Sequence, residues 1–308
     1  MAASPLVVVL VVAALAIALA IRALSATRGD RTDLAEAPSS EAARAAHRHA
    51  TRVRRVAWAT LVATGWATLQ VTGAMAGLAQ GRLLGLAPIA AGIAFVLVHA
   101  IGDLTWPRPT GAVRRASLAR RTVTDVTPAP AYRLTVAWGV ALTVTLVACG
   151  AVSGNGRDIA RAYDGGTSGA GPFPGWFYGA PLLLAALVLL AAVHGLVVLV
   201  ARRAAVAGAP DRWDLELRRH SARAVLGGAQ LVLGLTLAAV LMVAGSAVRS
   251  VGSSTGSTIS GELVDTGDPL YTSIGISLVV LALAIALISL VVAMRTPHAA
   301  RTPALAPA

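Results

Sequence analysis

LLGLAPIAAGIAFVLVHAIGDLTWPRPTGAVRRASLARR, residues 83–121, decides what kind of fold this chain can have. Residues 83–104 are apolar apart from His99 and Asp103. At roughly 1.5 Å of rise per residue, about 20 such residues cross a hydrocarbon layer of about 30 Å, which is long for an ordinary core helix. Arg108, Arg114, Arg115, Arg120 and Arg121 follow. Loops with such an arginine excess stay on the cytoplasmic side, so this span is expected to run from outside to inside.

Composition extends that reading to the whole chain. Of 308 residues, 56% are hydrophobic and only 13% charged, with a mean hydropathy of +0.72. That lies far from a soluble globular balance and points to a polytopic membrane protein. The 26 basic residues, all arginine, outweigh 14 acidic ones to give a net charge of +12. In a soluble protein this excess would suggest nucleic acid; here its distribution by membrane side explains it, and no nucleic-acid partner is expected. The absence of lysine excludes a retinal or pyridoxal Schiff base and a P-loop lysine. Cys149 is alone, which excludes an intrachain disulfide, a cysteine-based zinc site and a one-chain iron–sulfur cluster. No cofactor is expected.

Read in order, residues 5–21 form an uncleaved anchor with the N-terminus outside, because Arg22, Arg28 and Arg31 follow the apolar run instead of preceding it. Further spans fall at about 56–78, 83–104, 134–153, 181–201, 224–248 and 271–294, with cytoplasmic loops at 22–55, 105–133 and 202–223 and a disordered tail at 295–308. Of the 26 arginines, only Arg82, Arg157, Arg161 and Arg249 fall in segments assigned to the outside. The expected fold is therefore an all-α, seven-span transmembrane bundle, N-out and C-in, in a bacterial plasma membrane.

Local signals refine the plan. Ser40 followed by Glu41 reads as a helix start, and so does Pro210, with Asp211, Asp214 and Glu216 early and Arg218, Arg219 and Arg223 late. Trp213 and Leu217 lie one turn apart on one face of that interfacial helix. The outer segment from residue 153 reads as a flexible glycine-rich loop until Phe173, Trp176, Phe177 and Tyr178 supply an interfacial aromatic belt. Small-residue runs around Gly73, Gly150 and Gly245 end spans 2, 4 and 6, while Pro88, Pro181 and Pro269 lie near the starts of spans 3, 5 and 7. This suggests one anchor plus three hairpins, although glycine ends and proline starts recur in any alanine-rich helical chain.

Chemistry-bearing residues are few. His99 and Asp103 share a face of span 3, and His194 on span 5 lies at similar depth, so the three could meet. Ionisable groups inside a membrane are a functional hypothesis by default: a proton or solute path, or a metal or haem held by the two histidines. The competing reading is structural, with Asp103 paired to an arginine and each histidine bonded to a neighbour. His47 and His49, two residues apart, read as a solvated face, and Thr143, Thr145, Gln230, Thr236, Ser277 and Ser289 as helix-packing glue. Glu262, Asp265 and Asp268 match no calcium loop. Arg114-Arg115-Ala116-Ser117 fits a basophilic kinase pattern, but an arginine stripe on anionic headgroups explains Arg108, Arg114, Arg115, Arg120 and Arg121 more simply.

The segment Gly102-Asp103-Leu104-Thr105-Trp106-Pro107-Arg108-Pro109-Thr110, continuing to Leu118, resembles one that recurs in uncharacterised actinobacterial multi-pass membrane proteins. The resemblance covers fewer than about 30 residues, implies no activity, and favours placing Asp103 on a defined cytoplasmic surface. The function expected is that of a non-enzymatic accessory or partner-binding membrane protein, with a membrane or cytoplasmic protein as partner. A small-solute or proton-coupled transporter using His99, Asp103 and His194 is the alternative; it would ordinarily show more midplane polarity or broken helices.

Overall fold

A computed structural model of the chain describes residues 40–74, 81–107, 121–163, 166–253, 255–257, 263–265 and 267–294. The expected first span at 5–21, the tail at 295–308 and Arg108, Arg114, Arg115 and Arg120 lie outside them. The Ser40 signal starts α1 (Glu41–Ala74), with the Ala43 amide donating to Ser40 Oγ at 3.2 Å. This helix joins the segments expected as a cytoplasmic loop and a second span without a break. Gly81, at φ 80°, makes the turn into α2 (Arg82–Leu104), a left-handed conformation that a side chain would disfavour. A four-residue α3 (Val123–Val126) follows, its start closed by a capping box between Thr122 and Asp125. The Thr122 amide, donating to Asp125 Oδ2 at 2.7 Å, holds that carboxyl below the usual carboxylate range.

Then come α4 (Ala129–Val152), α5 (Trp176–Arg202), α6 (Asp211–Gly252) and α7 (Pro269–Met294). The interfacial helix expected after Pro210 and the sixth span are one continuous helix of 42 residues. Pro269 begins α7, whereas Pro88 and Pro181 sit inside α2 and α5. Five of these helices, α2 and α4 through α7, are long and apolar enough to cross a membrane. α1 is not among them: its first half is arginine-rich and its second holds Thr60, Thr64, Thr68 and Gln70.

Helices dominate, as expected of an all-α bundle, and two short β-hairpins lie between α4 and α5 and between α6 and α7. β1 (Ile159–Tyr163) pairs antiparallel with β2 (Gly166–Ala170), Ile159 opposite Ala170, and β3 (Thr255–Ser257) pairs with β4 (Leu263–Asp265). The first hairpin is seated, not loose, because Ile159 and Phe173 bury against Ala244, Val248 and Val251 of α6. Phe173 is therefore core. Phe177, by contrast, is flanked by the Arg82 and Arg157 guanidiniums at 4.4 and 4.1 Å from its ring centroid.

α6 is the hub, in contact with every other described helix. Its most apolar window is 72% buried, against 17% for α7. Around it Phe95, Leu142, Leu189, Leu226, Leu231 and Leu233 form one apolar core. α7 is held almost entirely by α6, and glycine sets how closely they approach. A Cβ on Gly245 would stand 2.8 Å from the Gly275 carbonyl oxygen, and one on Gly275 would stand 2.5 Å from the Arg249 amide nitrogen. Small residues at such crossings let backbones meet where no hydrophobic effect drives association. The small-residue run at Gly245 thus serves packing.

Replacing Gly275 by valine forces these backbones apart. The detergent-solubilised chain should lose about 2 kcal/mol, the scale of an overpacked contact, and unfold at a lower temperature. An unchanged Tm would mean that α7 does not seat on α6 through this glycine.

Candidate functional site

The buried polar chemistry gathers at one end of the bundle, where α2 and α5 end and α6 begins. A helix leaves its last four carbonyls without intrahelical donors, and a helix end that buries them must find donors elsewhere. α5 finds them in Arg218 of α6. Arg218 Nη1 donates to the Val200 and Ala201 carbonyls at 2.9 and 3.0 Å, and Nη2 to that of Arg203 at 2.8 Å. Its Nε donates to Asp214 Oδ2 at 2.8 Å, and both residues are 1% exposed. Arg121 Nη1 donates to the same Asp214 oxygen, with Asp211 3.4 Å from Arg121 Nη2. Arg121, expected to face lipid or a partner, is held instead by this pairing, its side chain 16% exposed.

α2 ends in a similar way. The Gly102 carbonyl accepts from His49 Nε2 of α1 at 2.8 Å, which fixes the proton on that nitrogen. His49 also meets Trp106 edge to face, with ring centroids 5.6 Å apart. His49 thus belongs to a packed junction and not to a solvated face. Beside it, Trp106 joins Trp213 and Leu217, the pair expected on one face of α6, in a small cluster with Ala43, Ala46 and Val206.

Between these two capped ends lies a cavity of about 20 Å³, lined by His49, Arg54, His99, Asp103, Trp106, Arg203, His220 and Ser221 among others. Arg203 is its central cation. It stacks over Trp106, 3.9 Å from the ring centroid, and its Nη1 lies 3.4 Å from Asp103 Oδ1 and 3.3 Å from Ser221 Oγ. Burial pushes the Arg203 guanidinium down to about 10, with Asp103 drawing it back up, so it stays charged near neutral pH. Arg54 Nη1 donates to His220 Nε2, which as acceptor leaves the His220 proton on Nδ1.

The structure thus brings together two of the three intramembrane candidates, His99 and Asp103, at this cavity. His194 is not among the lining residues. It bonds through Nδ1 to Tyr132 Oη at 3.0 Å and borders a separate groove of about 260 Å³ between α4 and α5. Similar depth along two helices does not fix their rotation, and His194 sits on the side of α5 turned to α4. A haem between His99 and His194 is not built. Among the described residues, no three of His, Cys, Asp and Glu gather as metal ligands.

Sequence reasoning passed over Arg54, Arg203, Arg218, Asp214 and His220 as site residues. Proximity of the three arginines to span ends was visible, but an arginine there reads equally as a marker of membrane side. The remaining polar groups act as packing elements. Thr143, Thr145, Thr236, Ser277 and Ser289 donate to carbonyls four residues back, and Gln230 Nε2 reaches across to the Ala131 carbonyl at 2.7 Å. At the opposite end Arg161 pairs with Asp268 at 2.9 Å, tying the first hairpin to the start of α7. Comparison with protein-family models, with curated proteins and with solved structures gives no match.

Arg218→Ala removes the guanidinium donors to the Val200, Ala201 and Arg203 carbonyls and leaves Asp214 with Arg121 alone. Loss of one member of a buried pair costs about 3–5 kcal/mol, so the variant should show a sharply lowered Tm or fail to accumulate. Arg218→Lys should recover little, because an ammonium lacks the fork that reaches several acceptors at once. Full recovery by lysine would show that charge alone, without the planar fork, holds this junction.

Proposed function

We propose that this chain is a seven-span, N-out and C-in protein of a bacterial plasma membrane that works as a non-enzymatic accessory, binding a membrane or cytoplasmic protein partner at its arginine-rich cytoplasmic end. The observation that carries the reading is the separation of polarity along the bundle. Phe95, Leu142, Leu189, Leu226 and Leu231 fill the interior. Beside that interior, the hydroxyls of Thr143, Thr145 and Thr236 are satisfied within their own helices. A transport route needs a continuous polar or broken-helix path near the midplane. The polar cavity instead lies at the helix ends, beside the ordered junction made by Arg218, Asp214 and Trp106. Anionic headgroups beneath residues 105–133 are the expected lipid contact.

The transporter alternative retains one supporting observation, the placement of His99 and Asp103 on one cavity. The experiment separating the two is purification of the tagged full-length chain from native membranes. A stoichiometric partner, depleted several-fold by Arg114→Ala with Arg115→Ala, supports the accessory reading; a chain that purifies alone, or a partner indifferent to those changes, overturns it. Sidedness is checked separately by placing a cysteine at Ser39 in a Cys149→Ser background. It should react with a membrane-impermeant thiol reagent only after the membrane is opened, and labelling of intact cells would reverse the orientation.

A further inference from the structure

We infer that the groove between α4 and α5 is a binding site for one anionic phospholipid, with its phosphate at the end formed by Tyr132, Arg133 and His194 and one acyl chain laid along the groove. The site rests on the reading of α4 as a span that starts at the cytoplasmic interface, and three observations carry it further. The first is shape. The groove holds about 260 Å³ and follows α4 from Tyr132 to Val144, with Val136, Val140, Leu187 and Leu190 on its walls. At roughly 1.5 Å of rise per residue its length is about 18 Å, close to half of a hydrocarbon core of about 30 Å, which is the depth of one leaflet. Val140, Val144 and Leu187 are 56%, 62% and 50% exposed, so the groove opens on the outer surface of the bundle.

The second is a spare proton. Tyr132 Oη and His194 Nδ1 bond at 3.0 Å. A neutral phenol and a neutral imidazole carry one such proton each, and their bond uses one of the two whichever side donates. The other is left on His194 Nε2 or on Tyr132 Oη, and neither residue has a further partner among the described residues. His194 is exposed, and it lies about 12 Å inside the end of α5 at Arg202. A donor left unmatched beside hydrocarbon is costly, and a phosphate or ester oxygen would match it.

The third is charge. Arg133 precedes Val140 and Val144 by two and three helical turns, so it continues their exposed face of α4 one turn beyond Val136. Arg133 forms no ion pair among the described residues. No residue lining the groove is acidic. A cation and a free donor at the interfacial end, with valine and leucine leading away from them, repeat the order of groups in a phospholipid of the inner leaflet. An anionic headgroup gains the full attraction of the guanidinium, whereas a zwitterionic one brings a cation of its own. An apolar partner helix would match the valines and leave Arg133 and the spare proton unanswered.

The test is the thermal stability of the full-length chain purified in a nonionic detergent, titrated with phosphatidylglycerol, with phosphatidylcholine of the same acyl chains, or with glycerol 3-phosphate. The expected result is a saturable rise in Tm with phosphatidylglycerol, a midpoint about tenfold higher with phosphatidylcholine, and no rise with glycerol 3-phosphate. Arg133→Gln should raise the phosphatidylglycerol midpoint about tenfold, the loss expected for one hydrogen bond to a charged group. Val140→Trp fills the groove from an exposed position; it should keep the lipid-free Tm and abolish the lipid effect. Equal midpoints for the two lipids, a rise with glycerol 3-phosphate alone, or an unchanged response in the Val140→Trp chain would each overturn the site. The titration needs neither a membrane nor a partner, so the site can fail while labelling at Ser39 upholds the orientation, and can stand where no partner purifies.

Discussion

The buried end of α5 sets the terms for the rest of this molecule. Its final carbonyls have no donors of their own, and only a side chain with several N–H groups in a fixed fork can serve three of them at once. Arg218 does so from the neighbouring helix, which fixes how far α6 slides and rotates relative to α5. The guanidinium is then itself buried and needs a counter-charge, which Asp214 provides one turn earlier on the same helix. Asp214 in turn takes Arg121, so the loop entering α3 is drawn in by the same chain of requirements. With α5 and α6 set, Arg203 emerges beside Asp103 and over Trp106, and the cavity takes its shape.

Polarity in the bundle is sorted by a simple energetic rule. Away from water, a hydroxyl can be satisfied by a carbonyl one turn back on its own helix, which demands nothing of its neighbours. A guanidinium cannot, so arginines collect where several helix ends offer free carbonyls and carboxylates together. The interior is left to apolar side chains and to glycine contacts such as Gly228 beneath Phe95 and Gly245 beneath Gly275. Among the described residues, the same sorting concentrates the buried charge at the end where α2 and α5 finish and α6 begins.

Much of this was legible in the sequence. Long apolar runs located α2 and α4 through α7, the Ser40 and Pro210 signals located the starts of α1 and α6, and Trp213 with Leu217 marked the inward face of α6. The hairpins were not legible: Ile159–Tyr163 is short, and its partner Gly166–Ala170 is mostly glycine and small polar residues with no apolar alternation. Nor was the divergence of His99 from His194, since spacing from a loop arginine measures depth and not azimuth. His49 was hidden for a different reason. Its partner is a backbone carbonyl, which every residue carries, so no sequence pattern announces it.

Arginine was the hardest residue to read because it performs two physically distinct tasks here. In 105–133 its excess is read as a marker of membrane side, a role that any cation fills and that depends on number more than on position. At Arg203 and Arg218 the task depends on geometry: a planar fork divides its donors among carbonyls, carboxylates and an aromatic face, and a lysine ammonium has no equivalent. Both kinds follow an apolar span and both add to the same net charge, so composition merges them. Burial separates them. An arginine kept from water must be matched atom by atom, as Arg218 is by three carbonyls and a carboxylate.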